Sequence, residues 1–145
     1  LDHAELRHAI MYKAMDLYAF KDDNRDWHKE IFKLYAGFRE NAKEAKKKRN
    51  EGRIMETSPS LTLDQYSGTY QNEMLGSVTI SLVNGQLQIN VNKHLNYKME
   101  HWHHNTFITS KDPRWRFESL INFNLNTSGK IEELEVFEEK FTKKY

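Results

Sequence analysis

From Ala4 to Phe20, apolar side chains return at steps of three and four: Leu6, Ile10, Ala14 and Leu17, with Met11 and Tyr18 beside them. That is the stripe of an amphipathic helix. The run Lys21 to Arg25, with Asp22, Asp23 and Asn24 in succession, replaces it with residues that favour turns and helix starts. A second helix is expected from near Asp26, with its apolar face running through Trp27, Ile31, Leu34, Tyr35, Phe38, Ala42 and Ala45. The two should pair as a hairpin or an L. Gly52 is a plausible stop, and Thr57-Ser58-Pro59-Ser60 reads as a linker, because Pro59 cannot continue a helix and restricts Ser58 to extended geometry.

Beyond Leu61 the period falls from about 3.6 to 2. Thr62 with Gln65 three residues on fits a capping box and predicts a short helical turn. Seven strands are expected after it: Gly68 to Asn72, Ser77 to Val83, Gln86 to Asn92, Tyr97 to Trp102, Thr106 to Ser110, Arg116 to Asn126 and Ile131 to Glu138. Asn84-Gly85 between alternating runs is a strong hairpin signal, since a type I′ turn needs positive φ at both central residues. Thr127-Ser128-Gly129-Lys130 does the same less specifically. Val78, Ile80 and Leu82 should face Leu87, Ile89 and Val91 as one wall of a core, with Leu120, Ile121, Phe123, Leu125, Ile131, Leu134 and Val136 as the other. The expected fold is α+β: two N-terminal helices followed by a small antiparallel β-barrel or strongly curled sheet. Residues 1–56 form a helical connector, 57–61 a linker and 62–145 the barrel domain.

Composition narrows the functions. Lys plus Arg number 22 against 21 for Asp plus Glu, so the net charge of +1 provides no field for nucleic acid. The most basic stretch, Lys43 to Arg53, carries Glu44 and Glu51, has no interleaved aromatic residue and reads as a solvated helix end. The absence of cysteine excludes disulfides and thiolate metal sites. No apolar run approaches the roughly 20 residues of a membrane-spanning helix. The start, Leu-Asp-His-Ala-Glu, reads as a cut site, with any targeting signal upstream.

No catalytic residue is assigned. No serine has a lysine three residues on, and neither Lys-Thr-Gly nor Gly-x-Ser-x-Gly occurs. Tyr70-Gln71-Asn72 matches a Tyr-x-Asn element, but on a first strand it reads as structural. The densest chemistry is His101-Trp102-His103-His104, with His94 shortly before it. On a regular strand His101 and His103 would share a face, a spacing that can bring two nitrogens to one ion. A third ligand is not designated, so no metal or other cofactor is assigned, and the histidines read as rim residues with Trp102 in the core. Trp115, between Arg114 and Arg116, fits either a binding surface or a plug for one end of the barrel. His101, Trp102, His103, Arg114 and Trp115 are therefore the candidate ligand or interdomain contacts.

Tyr66-Ser67-Gly68-Thr69-Tyr70, Gly76-Ser77-Val78-Thr79-Ile80, Asn84-Gly85-Gln86-Leu87, the block from Glu100 to Phe107 and Asn126-Thr127-Ser128-Gly129-Lys130-Ile131 occur in that order. This series resembles the uncharacterised C-terminal domain that follows the catalytic domain of class C β-lactamase-like, or penicillin-binding-protein-like, bacterial serine hydrolases. The leading helices are similar to that family's connector, in which a pair like Asp26-Trp27 precedes an amphipathic helix rich in Lys and Ala. The resemblance implies a lipocalin-like barrel in a bacterial protein exported to the periplasm or cell surface, with the upstream hydrolase domain as partner. It implies an accessory role beside that domain, shaping access to its site; the alternative is a small-ligand binder using the barrel interior. With the catalytic domain missing, Tyr12, Trp27 and Phe38 would lie exposed and favour self-association through the helices.

Overall fold

The computed structural model describes residues 4–92, 94–112 and 118–145, and the chain divides into two compact units, Leu1–Gly52 and Arg53–Tyr145.

In the first unit α1 (Ala4–Met15) runs on into a π-helical turn, Asp16–Phe20, which ends at Lys21 in the left-handed region. After a short connection, α2 (Trp27–Glu51) starts on Asp26, whose Oδ1 accepts the Lys29 amide at 3.0 Å. The helices form an antiparallel hairpin. Arg39 pairs with Glu5 at 3.2 Å, Tyr35 shares a hydrogen bond with His8 Nδ1 at 2.8 Å, and the Trp27 indole donates to Asp16 while stacking on Tyr12.

These contacts use a face of α1 other than the expected stripe: Ala9 is buried, whereas Leu6, Ile10 and Leu17 are exposed. The physical reason lies in the composition of α1, which carries apolar residues around most of its circumference, so that hydrophobicity alone does not choose a side. The polar partners at Glu5, His8 and Asp16 make the choice. On α2, Ile31 is buried but Leu34 and Phe38 remain half exposed.

The second unit is a closed antiparallel barrel in which the strands follow one another in chain order. They are β1 (Gly68–Asn72), β2 (Gly76–Val83), β3 (Gln86–Asn92), β4 (Leu95–His103), β5 (Thr106–Thr109), β6 (Leu120–Leu125), β7 (Ile131–Val136) and β8 (Glu139–Lys144). β8 pairs back onto β1, with Tyr70 opposite Lys143, and so removes both free edges. The barrel thus has eight strands where seven were expected. The run from Ile131 to Glu138 is not a final strand: it turns at Phe137-Glu138, and Glu139 opens β8.

The interior is filled by side chains. Tyr66, Tyr70, Phe107 and Phe123 are all buried and meet edge to face, with ring centroids 5.0–5.9 Å apart. Each such pair contributes roughly 0.5–1.5 kcal/mol beyond area burial. Val78, Ile80, Leu87, Ile89, Ile121, Leu134 and Val136 line the walls around them. Leu82 shares the face of Val78 and Ile80 but lies at the strand end and is exposed. Tyr66 comes from the short 3-10 turn Leu63–Tyr66, held by the Gln65 amide on the Thr62 backbone carbonyl at 3.0 Å; the Thr62 side chain does not cap it.

Candidate functional site

The histidine block occupies the end of β4 and its turn into β5. Cross-strand partners share a face of a sheet. Met99 opposes Thr109 and His101 opposes Phe107, so His101 points inward, where its ring meets that of Phe107 at 5.7 Å. A bulge between His101 and His103 then shifts the register, and His103 opposes Thr106. Thr106 pairs with Asn122 while Phe107 pairs with buried Ile121, so His103 points outward. His101 and His103 therefore do not share a face. Among the described residues no group of three or more His, Cys, Asp and Glu side chains is placed to hold a metal ion.

Trp102 is buried, yet outside the cluster that fills the barrel. Its ring lies under the Arg53 guanidinium, 4.6 Å from ring centroid to Cζ. Arg53 Nε donates to the Trp102 carbonyl at 2.9 Å and Nη2 to the His101 carbonyl at 3.3 Å. Arg53, expected at the end of a solvated basic stretch, is instead an anchor of the barrel unit, and the segment that follows it is anchored too. The Ile54 amide donates to His103 Nδ1 at 3.2 Å, the His104 amide to Thr57 Oγ1 at 3.0 Å, and the Ser60 amide to Asn105 Oδ1 at 3.0 Å. Residues 53–61 thus belong to the same compact unit as the barrel, Arg53–Tyr145.

His101 and His103 differ in what they need. His101 Nε2 lies 2.9 Å from the His104 carbonyl and donates to it. His103 Nδ1 accepts, which requires an unprotonated nitrogen there. Burial, with lesser contributions from His104, His101 and Arg53, holds the His103 pKa below its ordinary value. Asn105 Oδ1 also accepts the Tyr66 hydroxyl at 2.6 Å, and burial pushes the Tyr66 pKa up. Arg53 and Asn105 are the residues that sequence reasoning passed over. For Asn105 the hint was its place just after the His-Trp-His run; Arg53, 48 residues before His101, gave none.

Two shallow hollows flank the block. One of about 330 Å³ is lined by His103, Thr106, Asn122, Glu135, Phe137 and Glu138 among others, and one of about 300 Å³ by Leu63, Leu87, Met99, His101 and Phe107 among others. Arg114 and Trp115 lie outside the described residues. In the helical unit a larger hollow of about 690 Å³ opens beside the exposed stripe, lined by Leu6, Ile10, Ala14, Leu17 and Trp27 among others.

The family model for the domain of unknown function DUF3471 matches residues 53–144. No curated protein matches the chain. Among the solved structures that match, two share its fold over 63% of this chain. One is the C-terminal domain of penicillin binding protein Rv0907, at 22% identity and a TM-score of 0.53, covering 94% of that chain. The other is SurE with D-Leu, at 16% identity and a TM-score of 0.52, where the match spans only 22% of that chain.

Proposed function

This chain belongs to the DUF3471 family, and from that membership we propose that it is a non-catalytic accessory module of a β-lactamase-like serine hydrolase, packing beside the catalytic domain and shaping access to its site. One observation carries the reading: the candidate chemistry is spent on holding the module together. His101, His103, Tyr66 and Tyr70 all engage in hydrogen bonds within the barrel unit, and aromatic rings occupy its interior. A filled interior favours a packing role over enclosure of a ligand. The likeness to the C-terminal domain of a penicillin binding protein supports the same assignment.

The exposed stripe of Leu6, Ile10, Leu17 and Tyr18 is the surface through which the helical unit meets that partner domain or, without it, a second copy. An exported, extracytoplasmic setting in a bacterium follows from the resemblance to exported hydrolases. The decisive experiment exposes the folded chain to a serine-directed acylating probe and to β-lactam and ester reporters. Neither an adduct by intact mass nor turnover is expected. A stoichiometric acyl adduct on a serine of this chain would overturn the proposal.

A further inference from the structure

Residues 53–60 form a strap across the β4–β5 turn, held at Arg53, Ile54, Thr57 and Ser60. Three of these anchors are indifferent to pH near neutrality. The Arg53 guanidinium stays charged, and the Thr57 hydroxyl and Asn105 amide do not titrate. The fourth is conditional, because the Ile54 N–H needs a lone pair on His103 Nδ1. Protonation places a hydrogen there, so that two donors face each other. His101 keeps its bond to the His104 carbonyl in either state, since its Nε2 donates in both.

We propose that the strap is a pH-sensitive latch: protonation of His103 releases Ile54 and loosens the Arg53 end of the strap, while Asn105 keeps the Ser60 end in place. Charged neighbours set the balance from every side. The Arg53 guanidinium on the strap and His101 and His104 on the hairpin oppose a second cation at His103. Glu135 and Glu138, which line the same hollow from β7 and its turn, favour one. Burial adds to the first group, and the His103 pKa is lowered. A depressed folded-state pKa means that the bond's stabilisation is complete above the ordinary value of 6.5 and is lost as the pH falls from there through the folded value.

Amide exchange of the whole chain, followed by NMR and corrected for intrinsic rates, tests the latch at about pH 7.5 and about pH 5. The protection of Ile54 should fall by about five- to tenfold on acidification, in line with one lost hydrogen bond. Phe123 and Leu134 should keep theirs. His103→Gln, which does not titrate, should remove the pH dependence at Ile54, and His101→Gln should leave it intact. Equal protection of Ile54 at both pH values, or the same fall in His103→Gln, would overturn the latch. A readout free of any substitution is the imidazole tautomer of His103 in a long-range 15N spectrum. Near neutrality Nδ1 should be bare and Nε2 protonated, and the opposite tautomer would defeat the proposal.

Discussion

The Tyr66 hydroxyl donates to Asn105 Oδ1 at 2.6 Å, and the same oxygen accepts the Ser60 amide at 3.0 Å. One side-chain carbonyl in a hairpin turn thereby satisfies a fully buried tyrosine and pins the strap. Asn105→Ala should leave the buried phenol without its acceptor and destabilise the barrel by about 1–3 kcal/mol. Tyr66→Phe removes donor and need together and should cost less. Urea melts of the two variants check the order, and an Asn105→Ala loss smaller than that of Tyr66→Phe would contradict it.

Tyr97 donates to Asp112 Oδ2 at 2.7 Å, and Asp112 is only 2% exposed. A buried carboxylate is costly unless it is well partnered. Tyr97→Phe preserves the ring and deletes the hydroxyl, so it should destabilise by about 1–3 kcal/mol through the loss of this hydrogen bond to a buried acceptor. Thermal unfolding of wild type and variant, fitted as a two-state transition of the barrel, measures it.

At the β2–β3 turn, Asn84 has φ 51° and Gly85 has φ 77°, as a type I′ turn requires. A Cβ added to Gly85 would meet no atom within 4 Å. The cost of Gly85→Val is then backbone strain alone, about 1 kcal/mol or somewhat more. Gly85→Asn should be milder, because Asn tolerates the left-handed region. Equal melting temperatures for the Val and Asn variants would contradict the strain account.

Burial raises the pKa of Tyr66 and, more strongly, of Tyr70, whose hydroxyl donates to the Tyr66 carbonyl at 2.7 Å. Both phenols are neutral in the folded state, so their contribution to stability is complete below the ordinary value of 10.0 and is lost as the pH rises above it towards the raised folded values. Absorbance at about 295 nm should show these two ionising late, together with unfolding. Removing either hydroxyl as Tyr→Phe should reduce the steepness of alkaline unfolding.

Elements with local causes were legible along the chain. The helix from Asp26, the stop at Gly52 and the hairpin at Asn84-Gly85 follow from capping, turn chemistry and periodicity within a few residues. The alternating runs Val78-Ile80 and Leu87-Ile89 likewise announced two neighbouring walls, and both walls are buried.

The rest depends on contacts between residues distant in the chain. β8 is mostly polar, with Phe141 as its buried residue, and its turn uses Phe137 and Glu138 at φ 57° and 65° where Asn or Gly would have signalled a hairpin. It is a strand because β7 and β1 offer hydrogen-bonding edges on both sides, a gain that exists only once the barrel closes. The bulge at His101 and His103 is equally silent in the sequence, since a period of two predicts one face and a single unpaired residue reverses it. The face of α1 that meets α2 was open for the same kind of reason. With apolar residues on most sides, the helix takes its orientation from Glu5, His8 and Asp16 reaching Arg39, Tyr35 and Trp27, residues far apart in the chain that only the folded hairpin brings together.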